Sequence, residues 1–128
     1  SISFDKCYNT GELFCEAPQC LSGGLIGYDK SAQYLNSYNA GTVNNTSSTA
    51  YSGGLVGTGN SPFVRNSYFR SGCATGVTIS NAYGTSKTKS YMQSADFVTT
   101  LNGEGAEWVA DQSSENGGYP ILVAFKTN

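Results

Sequence analysis

A spacing of thirty residues runs through this chain. Tyr8, Tyr38 and Tyr68 follow Cys7, Ser37 and Ser67, the pair Gly23–Gly24 returns as Gly53–Gly54, and Gly27 returns as Gly57. Phe4, Tyr34 and Val64 hold an apolar slot four residues before each tyrosine, while Gly11 and Gly41 keep the interval and Gly72 slips by one. So short a unit, with no helical periodicity, cannot bury its own apolar face. Stacked copies, each covering the next, can. At ~3.3 Å per extended residue, one unit allows about three short strands plus corners, and like residues of successive units lie ~4.8 Å apart along parallel ladders. The expected fold class is all-β: a right-handed parallel β-helix (β-solenoid) of about three coils. In it the tyrosines form an aromatic column and Asn36 and Asn66 an amide ladder, and the glycines serve corners where no Cβ is tolerated.

Strict alternation would place Phe4, Lys6 and Tyr8 on one side and bury a lysine. A bend at the Lys6, Asn36, Asn66 position avoids that cost, because asparagine suits such corners and an unpaired buried ammonium is expensive. The bend sends Phe4 and Cys7 inward and leaves the tyrosines partly exposed. After residue 72 the pattern breaks, and "ATGVTISNAYGTSKTKSYM" holds one or two further strands. "SADFVTTLNG" reads as a short α-helix, with Ser94 as N-cap, Phe97, Val98 and Leu101 at helical spacing and Gly103 beyond its end. A final strand is expected around Ile121–Val123. The division is thus residues 1–90 as repeats and 91–128 as a C-terminal cap that covers the otherwise open last edge.

Charged residues are only 12% of the 128-residue chain, against roughly 25% in ordinary domains. Gly, Ser, Thr, Asn and Tyr take their place, a mixture suited to strands and tight turns and to neutral, hydroxyl-rich surroundings outside a cell. A net charge of −2 offers no general basic face, so nucleic acid is not an expected partner. No apolar run approaches the ~18 residues of a membrane span. The start "SISFDKCYNTG" has neither the basic residues nor the apolar run of a signal peptide and begins inside a repeat, which points to a segment of a longer secreted chain. Of the four cysteines, Cys15 and Cys20 lie in one short loop and are candidates for a disulfide, among three formal connectivities. Cys7 takes the place of Ser37 and Ser67 and is read as a small packing residue with a free thiol.

These residues resemble the GLUG-motif repeats of bacterial surface proteins, which pair an "NCYNTG"-like with a "GGLVG"-like segment. This chain carries "KCYNTG", "NSYNAG", "GGLIG" and "GGLVG", and its close, "DFVTTLNG…WVAD…NGGYPIL", is similar to the segment that ends such arrays. The resemblance runs from residue 2 to about 123 and is weakest at 73–90. It implies the architecture more than a function. Such repeats occur in adhesin-like proteins and beside the catalytic parts of secreted proteases that cleave immunoglobulin A, where they are similar to a spacer or recognition module.

The sequence offers little chemistry. It has no histidine, which removes Ser-His and Cys-His sites and imidazole zinc ligation. The cysteine intervals do not fit a zinc site built from four thiolates, and "SGGLVGTGN" has neither the lysine nor the helix of a phosphate loop. Carboxylates do not recur as a stacked pair; an approach of Asp5, Asp29 and Arg65 is the one arrangement that could resemble the acid pair of a polysaccharide-cleaving β-helix. Asp29, Asn44, Asn45 and Asp111 are the donors that loops could offer a calcium ion, without EF-hand spacing. Asn44 and Asn45 head formal glycosylation sequons that read as a polar turn. No metal, cofactor or catalytic residue is assigned. The remaining candidates are aromatics expected at the surface, Tyr28, Tyr51, Phe69 and Tyr83, able to stack on sugar rings or pack on a partner. The reading is a non-catalytic extracellular segment of a bacterial surface or secreted protein, an adhesin-like scaffold or binding module for host glycan or protein. The alternatives are an accessory module of a secreted protease and a polysaccharide-cleaving enzyme.

Overall fold

The computed structural model of the protein describes residues 2–16, 19–46, 51–60, 62–76, 78–80 and 83–125. It is mostly β, built from very short strands. The first thirty residues supply β1 (Ser3–Asp5), β2 (Tyr8–Asn9), β3 (Leu13–Cys15), β4 (Leu21–Gly23) and β5 (Ile26–Lys30). The next thirty repeat them as β6 (Gln33–Leu35), β7 (Tyr38–Asn39), β8 (Val43–Asn45), β9 (Tyr51–Gly53) and β10 (Val56–Asn60). Then come β11 (Phe63–Arg65), β12 (Tyr68–Arg70), β13 (Ala74–Thr75), β14 (Thr78–Ser80) and β15 (Thr85–Lys87). Between the first two repeats each strand pairs in parallel with its counterpart, Phe4 with Tyr34, Tyr8 with Tyr38, Leu13 with Val43, Gly23 with Gly53 and Ile26 with Val56, so the register there is the thirty-residue spacing itself. The sheets are β1-β6-β11, β5-β10, β2-β7-β12-β15, β3-β8-β13 and β4-β9-β14. Five strands per repeat replace the three expected, because a corner interrupts the backbone every few residues.

The sharpest corner is the one anticipated. Lys6, Asn36 and Asn66 occupy equivalent positions with φ of 56°, 52° and 49°, the left-handed region that asparagine tolerates better than most residues. Asn66 Nδ2 donates to Asn36 Oδ1 at 2.8 Å, and Asn36 Nδ2 donates to Asp5 Oδ1 at 3.1 Å. The residue after each corner is more than filler. Ser37 Oγ accepts from the Cys7 amide at 3.0 Å and donates to the Leu35 carbonyl at 2.8 Å, and Ser67 Oγ repeats this with the Ser37 amide and the Arg65 carbonyl. A hydroxyl there satisfies the Cys7 and Ser37 amides, while the Leu35 and Arg65 carbonyls to which it donates also accept from the Lys6 and Asn36 amides of the neighbouring repeat. Asn36→Ala should therefore cost about 2 kcal/mol, combining left-handed strain with loss of the amide ladder. Asn36→Gly, which keeps the backbone free, should cost about half that, read as midpoint shifts in urea.

The glycines of the GGLIG and GGLVG segments stand where no Cβ is tolerated, as expected, but not on account of a left-handed backbone. None of Gly23, Gly24, Gly27, Gly53, Gly54 or Gly57 has a positive φ. What they provide is close approach. A Cβ on Gly24 would lie 2.1 Å from Asn39 Nδ2, and one on Gly54 would lie 2.2 Å from the Phe69 ring. Residues fifteen positions later thus fill the seats that the glycines leave. Inside, Phe4 and Tyr34 stack with ring centroids 5.2 Å apart, and Tyr34, Leu55, Val56, Phe69 and Cys73 form one buried cluster. Tyr34 also donates to Asp29 Oδ1 at 2.7 Å. Asp29 is fully buried and accepts in addition from the Ser31 and Ala32 amides at 2.8 and 3.0 Å, so its carboxylate is held by hydrogen bonds rather than by a cation.

Three strands, not one or two, lie among the described residues between 73 and 90. Thr85 of β15 lies beside Tyr68, only seventeen residues on, so the third repeat is shortened. The C-terminal segment then forms α1 (Lys89–Met92), α2 (Ala95–Asn102), β16 (Trp108–Val109) and β17 (Ile121–Leu122), the last two antiparallel. Ser94 caps α2 by accepting from the Phe97 amide, and Gly103 ends it. The expectation that this segment covers the last edge meets a different geometry: its contacts run across all three repeats, over the tyrosine column. Trp108 packs on Tyr8 and Tyr38 with centroids 5.6 and 5.4 Å away, and Phe97 meets Tyr38 and Tyr68 edge-on, each at 5.5 Å. Trp108 Nε1 donates to the Asn36 carbonyl at 3.2 Å, and Asn66 Nδ2 donates to the α2 carbonyls of Thr100 and Leu101. Tyr38 is in consequence fully buried, against the expected partial exposure that Tyr8 and Tyr68 do keep.

Burial raises the Tyr38 phenol well above the usual tyrosine range, and burial together with the hydrogen bond to Asp29 does the same for Tyr34. The unfolded chain therefore loses these protons first as pH rises. The stability they confer is complete below the ordinary tyrosine pKa of 10.0 and is lost progressively above it. Alkaline titration should show the part of the tyrosinate absorbance that belongs to this buried pair appearing together with the loss of folded Trp108 emission, above about pH 10.

Candidate functional site

Leu21 and Tyr51 are partners in register on β4 and β9, and both are 47% exposed. The next residue of β9, Ser52, points inward and is buried, so the pleat itself turns the large side chains outward. Cys15 and Cys20 form a disulfide that ties the end of β3 to the start of β4. Gln19, Cys20, Leu21 and Tyr51 line a cavity of about 330 Å³, at the lower end of the range for small-ligand sites. Phe14, beside Cys15 on β3, is also 59% exposed. The result is an aromatic and aliphatic face with its loop fixed by a covalent clip.

The other aromatics are placed separately. Tyr28 is exposed on β5 beside Thr58 of β10. Tyr83 is half-buried against the interior cluster and lines a cleft of about 350 Å³ with Val64, Asn66 and Thr85. Phe69 is not a surface residue: it is 4% exposed, because Gly54 leaves room for its ring inside. Only its edge reaches a neighbouring cleft of about 380 Å³, shared with Ser71, Gly84, Thr85 and Ser86. The signal that could have placed it is present in the sequence, since Asn39 and Phe69 each follow a Gly–Gly pair by the same interval.

Asp5 and Asp29 face different surroundings. Asp29 is sealed inside, whereas Asp5 is at the surface, 3.0 Å from Lys6 Nζ. Burial alone would raise the Asp5 carboxyl, but the hydrogen bonds from Lys6 and Asn36 outweigh it and hold it below its usual value. Of the oxygen donors considered for calcium, Asp111 accepts from the amides of Glu115, Asn116 and Gly118, and Asn44 Oδ1 accepts from Thr75. Among the described residues no three His, Cys, Asp or Glu side chains gather as a metal site. Asn45, head of one sequon, is buried. Cys7 and Cys73 are free thiols, and burial pushes both up, away from the thiolate a nucleophile needs. No helix among the described residues is long and apolar enough to cross a membrane.

No family model, curated protein or solved structure matches the chain.

Proposed function

We propose that the repeats wind as a right-handed parallel β-solenoid and that the chain is a non-catalytic extracellular segment of a bacterial surface or secreted protein, in keeping with its resemblance to GLUG repeats. It acts as a rigid display module whose Leu21–Tyr51 face receives a sugar ring of a glycan. The observation that carries this reading is the exposed Tyr51 ring, set beside Leu21 by parallel register and over a groove whose rim is closed by the Cys15–Cys20 disulfide. Aromatic faces stack on the apolar face of a pyranose at low entropic cost, because a tyrosine has few rotamers to lose. The disulfide supports an oxidising location. The separation of the buried Asp29 from the exposed Asp5 supports a non-catalytic role.

A glycan-array screen followed by calorimetry with the best oligosaccharide tests it. Tyr51→Ala should weaken binding about tenfold, equivalent to about 1.4 kcal/mol, with the thermal midpoint unchanged. Retained affinity in that variant, or a polysaccharide degraded with turnover by the purified chain, would overturn the proposal.

A further inference from the structure

The outermost strand of β1-β6-β11 is β11, and among the described residues no strand pairs with its far edge or with that of β10. The shortened third repeat is the reason. Gly53 is paired with Ser80 and Tyr68 with Thr85, so the chain crosses in five residues an interval that takes the second repeat fifteen. That is too short a length to lay strands along both β10 and β11 on the way.

Alternation along β11 decides what this edge offers. The Phe63 amide donates to the Ala32 carbonyl at 3.1 Å, and the Arg65 carbonyl accepts from the Asn36 amide at 3.3 Å, so both residues turn their backbone groups to the second repeat. Val64, between them, turns its amide and carbonyl the other way, to the free edge. The side chains alternate as well: Val64 packs on the interior cluster, whereas Phe63 and Arg65 are exposed. Beside Val64 lies the cleft of about 350 Å³ that Tyr83, Gly84 and Thr85 also line. An unpaired edge of this kind takes up an extended chain, with main-chain hydrogen bonds holding it and alternate side chains reading it. The occupant is a single segment, because β15 already stands beside β12, in the place that a second stack of repeats needs for its own strand. Its charge follows from Arg65. Residues 31–95 contain no Asp or Glu, and the ion pairs among the described residues, Lys6 with Asp5 and Lys6 with Glu107, do not include Arg65. Asp5, two strands away, is engaged by Lys6 and Asn36. A carboxylate on the next strand, directly opposite Arg65, is therefore favoured and a cation there disfavoured.

We propose that β11 accepts an extended segment of a partner protein as a further parallel strand, with an apolar side chain opposite Val64 entering the cleft beside Tyr83 and, next to it, Asp or Glu opposite Arg65. This is independent of the glycan reading, since Tyr51 lies on β9.

The test is NMR titration of the full chain at low salt with two hexapeptides blocked at both ends, Ser-Thr-Val-Glu-Thr-Ser and the same sequence with Lys in place of Glu, taken to millimolar concentration. The Glu peptide should bind about fivefold or more tightly than the Lys peptide. At saturation it should slow hydrogen exchange of the Val64 amide by about tenfold or more. Arg65→Gln should remove the preference between the peptides and Arg65→Glu should reverse it. Equal binding of the two peptides, a preference unchanged in Arg65→Glu, unaltered exchange at Val64, or binding of neither peptide overturns the inference. Protection of Val64 that rises with protein concentration in the absence of peptide makes the occupant a second copy of this chain and also overturns it.

Discussion

Trp108→Ala should destabilise the protein by about 3–5 kcal/mol, the range for deleting a large aromatic from a packed interior. The indole is fully buried, touches two rings of the tyrosine column and anchors its Nε1 on the Asn36 corner. Asn102 holds the same residue from the other side, donating to its carbonyl at 2.9 Å and accepting from its amide at 2.8 Å. Removing the ring therefore opens a cavity and loosens the whole C-terminal segment from the strands. The thermal midpoint should fall by roughly 10–25 °C. Tyr8 and Tyr38 should become more accessible to solvent, as read by solvent-perturbation difference absorbance of the tyrosines. A fall of only a few degrees would mean that the segment contributes little to holding the column, and that the repeats stand without it.

Gly41→Ala and Gly11→Ala should differ sharply although the two glycines are repeat equivalents. A Cβ on Gly41 would lie 2.0 Å from the Gly11 carbonyl oxygen, a backbone atom that cannot move without separating the first repeat from the second. The expected cost is about 3 kcal/mol or more, at the upper end of overpacking effects. On Gly11 the nearest atom to a new Cβ is Asn9 Oδ1 at 3.4 Å, an ordinary contact, so Gly11→Ala should lie within about 0.5 kcal/mol of the parent. Urea denaturation of the two variants side by side reads the difference. Similar midpoints would show that the repeats are not in the close parallel contact described.

The parts of this fold that repeat are legible in the residues themselves. Asn36 and Asn66 mark a corner because the alternative buries a lysine, and the thirty-residue interval sets the register of every strand pair that spans the first two repeats. What the sequence conceals depends on contacts without periodicity. The burial of Tyr38 comes from Trp108, Phe97 and Tyr119, supplied from far along the chain, and no local pattern announces which face they will cover. The shortened third repeat is visible only as a missing "GGLVG", because β13 and β14 keep the pairing while their spacing drifts from thirty-one residues to twenty-seven. Residue type alone expects both Tyr51 and Phe69 at the surface, and only Tyr51 is there, because an aromatic ring in a strand reads alike on either face until its neighbours are known.

That shortening has a bearing on how the protein behaves at high concentration. Among the described residues β15 adds a fourth strand to one sheet while β1-β6-β11, β3-β8-β13 and β4-β9-β14 have three and β5-β10 two, so the edge of the stacked strands is stepped. A level terminus would present all its unpaired amides and carbonyls in one plane, where another molecule could seat itself and pass the same template onward. The projecting strand should hold an incoming molecule away from its neighbours' edges and so disfavour growth into filaments.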